Sequence, residues 1–365
     1  MQSKTFGFIG LGLIGGSIAK AIRENSKDSY IMAYTPHKET VDRAFSEGIV
    51  DRPLYEIGRD FSECDYIFLC APVEINNTNL DTLRPFIDPK TTLTDIGSVK
   101  TGIHKKVEEL GLEDQFIGGH PMAGTERIGF GNSKSSLLEN AYYIITKTEK
   151  TQPERLEAYV ELVKAIGAIP LVVPYALHDY ITAAISHVPH VISASLVNLV
   201  KNNDCEDELM KTIAAGGFKD ITRISSSSPQ MWNQICMTNS GNISELLTKY
   251  IDSLYDIKIA IDEHDAQKVT DFFESARGYR ESFTETASGP IKEVFDISVE
   301  IDDRPGNLAA VATLLSSNNI NIKNIGIVHN REYERGTLRI ELHDKAGREK
   351  AGELLESEGY NIYKR

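Results

Sequence analysis

The sequence predicts an α/β dinucleotide-binding domain of the doubly wound, Rossmann type, then an all-helical domain, then a small ferredoxin-like unit of order βαββαβ. Three observations lead there. A glycine turn, Gly10-Leu11-Gly12-Leu13-Ile14-Gly15, joins a short apolar strand to a segment of helical periodicity. Strand and helix patterns then alternate as far as about residue 173. From Tyr175 the pattern becomes helical, and strands return only after Val294.

A chain of 365 residues exceeds one core of ordinary size and calls for two or three domains. The net charge of -14 with 41% hydrophobic residues describes an acidic protein without a basic stripe, which excludes nucleic acid as a partner. No run of eighteen apolar residues and no charged leader stand in the sequence, so a cytoplasmic location is expected and no membrane partner. Cys64, Cys70, Cys205 and Cys236 lack paired spacing, which argues against both a disulfide framework and a zinc knuckle.

Residues 1–173 are assigned to the dinucleotide-binding domain. In its first turn Gly10 takes the tight bend, Gly12 leaves the backbone open to a pyrophosphate, and Gly15 lets the helix approach the strand. Leu13 and Ile14 open that helix, whose amides then face an anion. The second strand, Tyr30 to Tyr34, ends at Thr35, where an acidic residue often meets the ribose hydroxyls. With His37, Lys38 and Arg43 nearby, the choice between NAD and NADP stays open, NAD being favoured. A third strand, Tyr66 to Cys70, turns away over the crevice at Ala71 and Pro72; Val73 to Ile87 reads as helix and Thr91 to Asp95 as strand. Ser98 and His120 each follow a strand and should face the crevice beyond the strand ends. Residues 141–146, 153–167 and 169–173 continue the alternation.

Residues 174–280 read as an all-helical substrate and dimerisation domain. Pro189 breaks its first helix at His187-Val188-Pro189-His190. Gly216 to Arg223 and the run Ser225 to Ser228 read as a loop-rich insert before Trp232. One long amphipathic helix is expected from Ile243 to about Arg277, its apolar face suited to a homodimer contact. Residues 281–293 read as linker, and 294–365 as the βαββαβ unit.

His120 is the best candidate for a proton acceptor, because imidazole titrates near neutrality and can take a hydroxyl proton while hydride leaves the same carbon. Ser98 either orients His120 or the same hydroxyl, or simply caps a helix. His187 and His190 stand at i and i+3, but no carboxylate matches them, so no metal site is expected. Arg223 is either a bidentate clamp for an anionic substrate or an ordinary surface arginine.

The segments GFIGLGLIGGS, DIGSVK, GGHPMAGTE, SHVPH, GFKDITRI and the pair Met231-Trp232, in this order, closely resemble the bacterial prephenate dehydrogenases, and the C-terminal DDRPGNL resembles an ACT regulatory domain. The resemblance covers essentially the whole chain, and GGHPMAGTE and GFKDITRI are its most specific parts. It implies oxidative decarboxylation of prephenate to 4-hydroxyphenylpyruvate with NAD, on the way to tyrosine. Carried over, His120 and Ser98 act at the ring hydroxyl and Arg223 at a substrate carboxylate; His187, His190, Thr125, Glu126 and Trp232 line the crevice. Cofactor contacts fall to Gly10, Gly12, Leu13, Ile14, Gly15, Thr35, Cys70, Ala71 and Pro72. The ACT-like unit implies tyrosine as effector, with Asp303, Pro305, Gly306, Asn307, Leu308 and Asn324 as the effector site, against a purely structural role. An arogenate or cyclohexadienyl dehydrogenase is the competing enzyme, and a non-catalytic nucleotide and amino-acid sensor the competing class.

Overall fold

The computed structural model describes residues 3–125, 127–286, 295–301, 304, 306–328 and 336–364. Glu126, Asp303, Pro305 and the expected linker residues 287–293 lie outside them. The chain divides into two compact units, Met1–Val269 and Thr270–Arg365.

The first unit opens with β1 (Thr5–Ile9), α1 (Leu13–Asn25), β2 (Tyr30–Tyr34), α2 (Lys38–Ser46), β3 (Arg52–Leu54), β4 (Tyr66–Leu69), α3 (Val73–Leu83), β5 (Thr92–Asp95) and α4 (Thr101–Leu110). The strands pair in parallel in the order β3-β2-β1-β4-β5. This order follows from right-handed crossovers that place helices on both faces of a buried sheet. β1 shows how the sequence serves both faces. Phe6 and Phe8 enter one apolar cluster with Ile18 and Ile22 of α1, and Phe8 stacks on Phe68 with ring centroids 5.0 Å apart. Ile9 joins the opposite cluster with Phe61 and Leu93. The expected helix from Val73 to Ile87 is shorter, since a 3-10 turn, Arg84–Phe86, with Pro85 at its start, replaces its last turn.

The glycine turn sits between β1 and α1. Gly10 has φ +94°, and a Cβ there would lie 2.8 Å from the carbonyl carbon of Cys70 and 2.9 Å from the Ala71 nitrogen. Left-handed backbone and contact with rigid main chain both demand glycine. Gly10→Ala is therefore expected to cost about 1–3 kcal/mol. A thermal melt checks this; an unchanged melting temperature would contradict the packing argument.

β6 (Ile117–Pro121), β7 (Tyr142–Lys147), α5 (Pro153–Ala165) and β8 (Ile169–Val172) follow. Here the expected continuous doubly wound sheet is corrected. These strands form a separate sheet, β6-β7-β8, in which β6 and β7 are antiparallel. The cause is the connection. A parallel return needs a helical crossover, and, among the described residues, positions 122–141 supply only the 3-10 turns Phe130–Asn132 and Ser135–Leu137. α5 restores a crossover, and β8 pairs with β7 in parallel. The two sheets meet through the single bridge Leu93–Phe116 among the described residues.

The helical part comprises α6 (Tyr175–Thr182), α7 (Val188–Asn203), α8 (Leu209–Ile213), α9 (Gly216–Thr222), α10 (Pro229–Thr238), α11 (Ser240–Asp262) and α12 (Ala266–Thr286). The break expected at Pro189 takes the form of a π-helical turn, Ala183–His187, between α6 and α7, because Pro189 has no N–H for the preceding turn. The stretch Tyr175–Asn203 is long and apolar enough to cross a membrane by length and hydropathy, yet Asp179 and His187 on it are buried within this unit.

Three expectations are corrected here. Residues 216–226 are not a loop but α9 followed by the 3-10 turn Arg223–Ser226; the two glycines occupy its first turn, and Thr222 bonds back to the Phe218 carbonyl at 2.6 Å. The long helix from Ile243 is two helices. His264 adopts φ +57°, and Asp265 accepts the Lys268 N–H at 3.0 Å, so one helix ends and the next is capped within three residues. Residues 281–286, read as linker, continue α12.

The C-terminal elements β9 (Phe295–Ile301), α13 (Asn307–Ser317), β10 (Ile322–Val328), β11 (Gly336–Leu342), α14 (Lys345–Ser357) and β12 (Ile362–Lys364) have the expected βαββαβ order. Their antiparallel sheet runs β10-β11-β9-β12 and covers a core of Ile297, Val299, Val311, Leu315, Leu338, Ile340 and Leu355.

Candidate active site

The start of α1 is built for an anion. Gly12 is its N-cap without a side-chain hydrogen bond, no acidic residue stands in the first turn, and a Cβ on Gly12 would meet nothing within 4 Å. Open space and unpaired amides at a helix N-terminus fit the pyrophosphate of a dinucleotide. Leu13, Ile14 and Gly15 form the first turn, with Cys70 packed against Gly15 from behind; Thr35 is buried just past β2. Ala71 and Pro72 are shaped by Asn76, which no sequence signal singled out. Its buried side chain accepts the Ala71 N–H at 3.1 Å and donates to the Ala71 carbonyl at 2.8 Å.

His120 stands on β6 itself, opposite Ile144 of β7; the expectation that it lies just past a strand is corrected, because the ladder with β7 continues to Pro121. The glycines before it are required by their neighbours. A Cβ on Gly119 would lie 2.7 Å from the Tyr143 hydroxyl and 2.8 Å from the Asp95 carbonyl oxygen. His120 Nδ1 lies 2.8 Å from His178 Nε2, and His178 Nδ1 lies 2.8 Å from Asp179 Oδ1. Asp179 also accepts the Lys100 N–H at 2.7 Å and the Thr101 N–H at 2.8 Å. Burial pushes the Asp179 carboxyl up, but hydrogen bonds from His178 and these groups outweigh it and hold the carboxyl below its ordinary value. Burial, then the neighbouring His178 and Lys100, holds His120 well below the ordinary histidine value of 6.5.

A carboxylate can only accept, so with neutral imidazoles the protons of this chain have one arrangement. His178 gives its Nδ1–H to Asp179, its Nε2 accepts Nδ1–H from His120, and His120 Nε2 keeps a free lone pair. The geometry thus makes His120 a base at Nε2.

A second group is built around Asn239, at the junction of α10 and α11. Its Nδ2 donates to the Asp179 carbonyl at 2.8 Å and to His187 Nδ1 at 3.2 Å, while its Oδ1 accepts from Asn242 at 2.8 Å. His187 therefore carries its proton on Nε2. Trp232 stacks on His190 at 3.9 Å and meets His187 edge-on at 6.0 Å. Its indole N–H is buried without an acceptor among the described residues. Arg223 heads the 3-10 turn Arg223–Ser226, and its charge helps lower His190, after burial.

Burial lowers His187 to about 4 and His104 to about 3. Both groups stay neutral in the folded protein while the unfolded chain protonates near 6.5. Their contribution to stability is therefore complete above pH 6.5 and is lost as the pH falls toward about 4 for His187 and about 3 for His104. The melting temperature is expected to drop across that window, and His187→Gln should flatten the profile. A profile equally steep in the variant would contradict the assignment.

The structure thus brings His120, His178, Asp179, Asn239 and His187 into one hydrogen-bonded chain, with His190 and Trp232 beside it. Ser98 is half-buried in the loop between β5 and α4. Thr125 is not brought in. It is exposed past β6, and its hydroxyl accepts the Arg127 N–H at 3.2 Å. Gly306 precedes α13, Asn307 and Leu308 open it, and Asn324 lies on β10. No cluster of three metal-ligating side chains occurs among the described residues.

Comparison with known proteins gives the same picture. Residues 18–171 match the nucleotide-binding domain of prephenate dehydrogenase, and residues 174–275 its dimerization domain. The prephenate dehydrogenase of Bacillus subtilis (strain 168) is 34% identical over 350 residues, 95% of this chain and 94% of that one. The crystal structure of Aquifex aeolicus prephenate dehydrogenase in complex with hydroxyphenyl propionate and NAD+ has a TM-score of 0.73 at 29% identity, covering 78% of this chain and 99% of that one. Synechocystis arogenate dehydrogenase has a TM-score of 0.69 at 28% identity, covering 76% and 99%. With an anion-ready helix start, an imidazole base on β6 and both family domains matched in order, the chain belongs to the prephenate dehydrogenase family of NAD-dependent oxidoreductases.

Proposed function

We propose that this protein oxidatively decarboxylates prephenate to 4-hydroxyphenylpyruvate. The observation that carries the reading is the chain Asp179–His178–His120, which leaves an unprotonated imidazole nitrogen on β6, inside the segment matched to a nucleotide-binding domain. Bound NAD supplies the hydride acceptor. His120 Nε2 takes the ring hydroxyl proton as the carbon–hydrogen bond breaks, with Ser98 as second partner of that hydroxyl. The resulting ring ketone draws in the electron pair of the carboxylate, carbon dioxide leaves, and His120 returns its proton to what is now a phenolic oxygen. No net proton is consumed, so a base with a return path suffices. Arg223 holds a substrate carboxylate, and His187, His190 and Trp232 line the pocket around it. Thr125 and Glu126, which follow β6 in the sequence, are assigned to the crevice by the family resemblance alone.

The remaining readings extend this one. Domain limits are taken as 1–173, 174–280 and 294–365. Exposed Ile181, Ile185, Leu199, Ile251, Leu254 and Tyr255 on the helical part support a homodimer, and the family's dimerization domain lies there. The βαββαβ unit supports an ACT-type effector domain for tyrosine, binding at Gly306, Asn307, Leu308 and Asn324, with Asp303 and Pro305 just before them in the sequence. A cytoplasmic location agrees with a biosynthetic role.

Absorbance in the reduced-nicotinamide band tests these together. Prephenate with NAD should give a rapid rise, NADP a slower one, and tyrosine should suppress the rise and shift the melting temperature. Reduction with arogenate alone would move the chain to the arogenate dehydrogenases. Indifference of rate and melting temperature to tyrosine would overturn the effector reading.

A further inference from the structure

We infer that Asp95 is a positioning residue that fixes Ser98 and His120 relative to one another, with Lys100 as its buried counter-charge. This rests on the roles given to those two residues above. Asp95 ends β5 and is buried, and both of its oxygens are in use. Oδ2 accepts the Gly97 N–H at 2.9 Å, one residue before Ser98. Oδ1 accepts the Gly119 N–H at 3.3 Å, one residue before His120. A single carboxylate therefore spans the chain segments that carry the two candidate catalytic groups.

The surrounding architecture gives this link its significance. Ser98 follows a strand of the first sheet and His120 lies on a strand of the second, and the sheets share the single bridge Leu93–Phe116 among the described residues. Beyond that bridge no backbone ladder among the described residues sets their separation; Thr94, Tyr159 and Tyr143 link the sheets through their hydroxyls, and the Asp95 carboxylate is the link next to Ser98 and His120. The fully buried Lys100 ammonium binds Asp95 Oδ2, while the Lys100 main-chain N–H holds Asp179 Oδ1. One residue thus connects the Asp95 hub to the chain that orients His120.

A buried ion pair is poor evidence for stability, because desolvation of both charges offsets their attraction. If the pair served only to fill space, a neutral pair of similar size would preserve activity. Asn at position 95 has one acceptor oxygen and can hold only one of the two amides, which frees either Ser98 or His120 to shift. Misplacement by about 1 Å costs roughly a hundredfold in rate.

The test compares wild type, Asp95→Asn and Asp95→Asn/Lys100→Met. The single variant strands a buried ammonium, so its melting temperature should fall. The double variant removes that charge, and its melting temperature should recover toward wild type. In both, kcat should stay about a hundredfold low with prephenate KM and NAD Kd within about threefold. Recovery of kcat together with stability in the double variant would overturn the proposal. Hydrogen exchange on the wild-type protein gives an independent readout. The Gly97 and Gly119 amides should be protected together, and free exchange of either would count against the link. A wild-type enzyme that does not reduce NAD with prephenate would remove the functional reading itself, and the proposal with it.

Discussion

Replacing His120 by Asn is expected to lower kcat with prephenate about a thousandfold while the Kd for NAD stays unchanged. General-base catalysis supplies roughly 10²–10⁴ in rate, and a thousandfold loss corresponds to about 4 kcal/mol of transition-state stabilisation. Asn suits the test because its amide can still donate to His178 Nε2, so the hydrogen bond seen at 2.8 Å has a replacement and the fold is preserved. What disappears is the lone pair facing the hydroxyl. Stopped-flow turnover and direct NAD titration separate the two effects. A rate within a few-fold of wild type would mean that another group takes the proton.

Asp179→Asn has the second largest expected effect, a loss of kcat on the order of a hundredfold or more. The substitution changes shape very little but removes the negative charge at the end of the chain. Asp179 Oδ1 accepts from both His178 and the Lys100 main chain and Oδ2 from Thr101, so the Asn oxygen takes the Oδ1 position and the direction of the chain is kept. What is lost is the counter-charge for the imidazolium that forms when His120 takes the hydroxyl proton. Ring-nitrogen NMR distinguishes this from unfolding: the His120 Nδ1–H bond to His178 should persist in the variant while turnover falls. Unchanged turnover in Asp179→Asn would remove the chain from the account.

Much of the fold was legible in the sequence, because periodicity and turn chemistry are local. The Gly10–Gly15 turn between an apolar strand and an amphipathic helix identifies the nucleotide-binding half. The C-terminal strands and helices stand where alternation places them. The split of the first unit into two sheets was not legible, since strand direction depends on whether the intervening chain forms a crossover, and residues 122–141 give no pattern that decides it. The break at Glu263–Asp265 was hidden for a related reason. Apolar spacing continues across it, and His264 takes a positive φ without being glycine.

The site shows the same division. His120 was found because it closes a strand-like segment, although the strand itself includes it and runs on to Pro121. His178 and Asp179 were missed because their partners lie far away in the sequence: His178 bonds a residue 58 positions earlier, and Asp179 holds amides 78 and 79 positions earlier. One signal was available. Asp179 shares a helical stripe with Ala183 and His187, and all three are buried. An acidic residue in an otherwise apolar stripe needs a partner. Asp95 and Lys100 were hidden inside the segment quoted for Ser98, where an acid and a base five residues apart read as ordinary loop charges.

The most direct test of the central claim is a product analysis on the purified protein with prephenate and NAD. Reduced nicotinamide, carbon dioxide and 4-hydroxyphenylpyruvate should form in equal amounts, with no net proton released. Hydride transfer without carbon dioxide, or no reaction with prephenate at all, would contradict it.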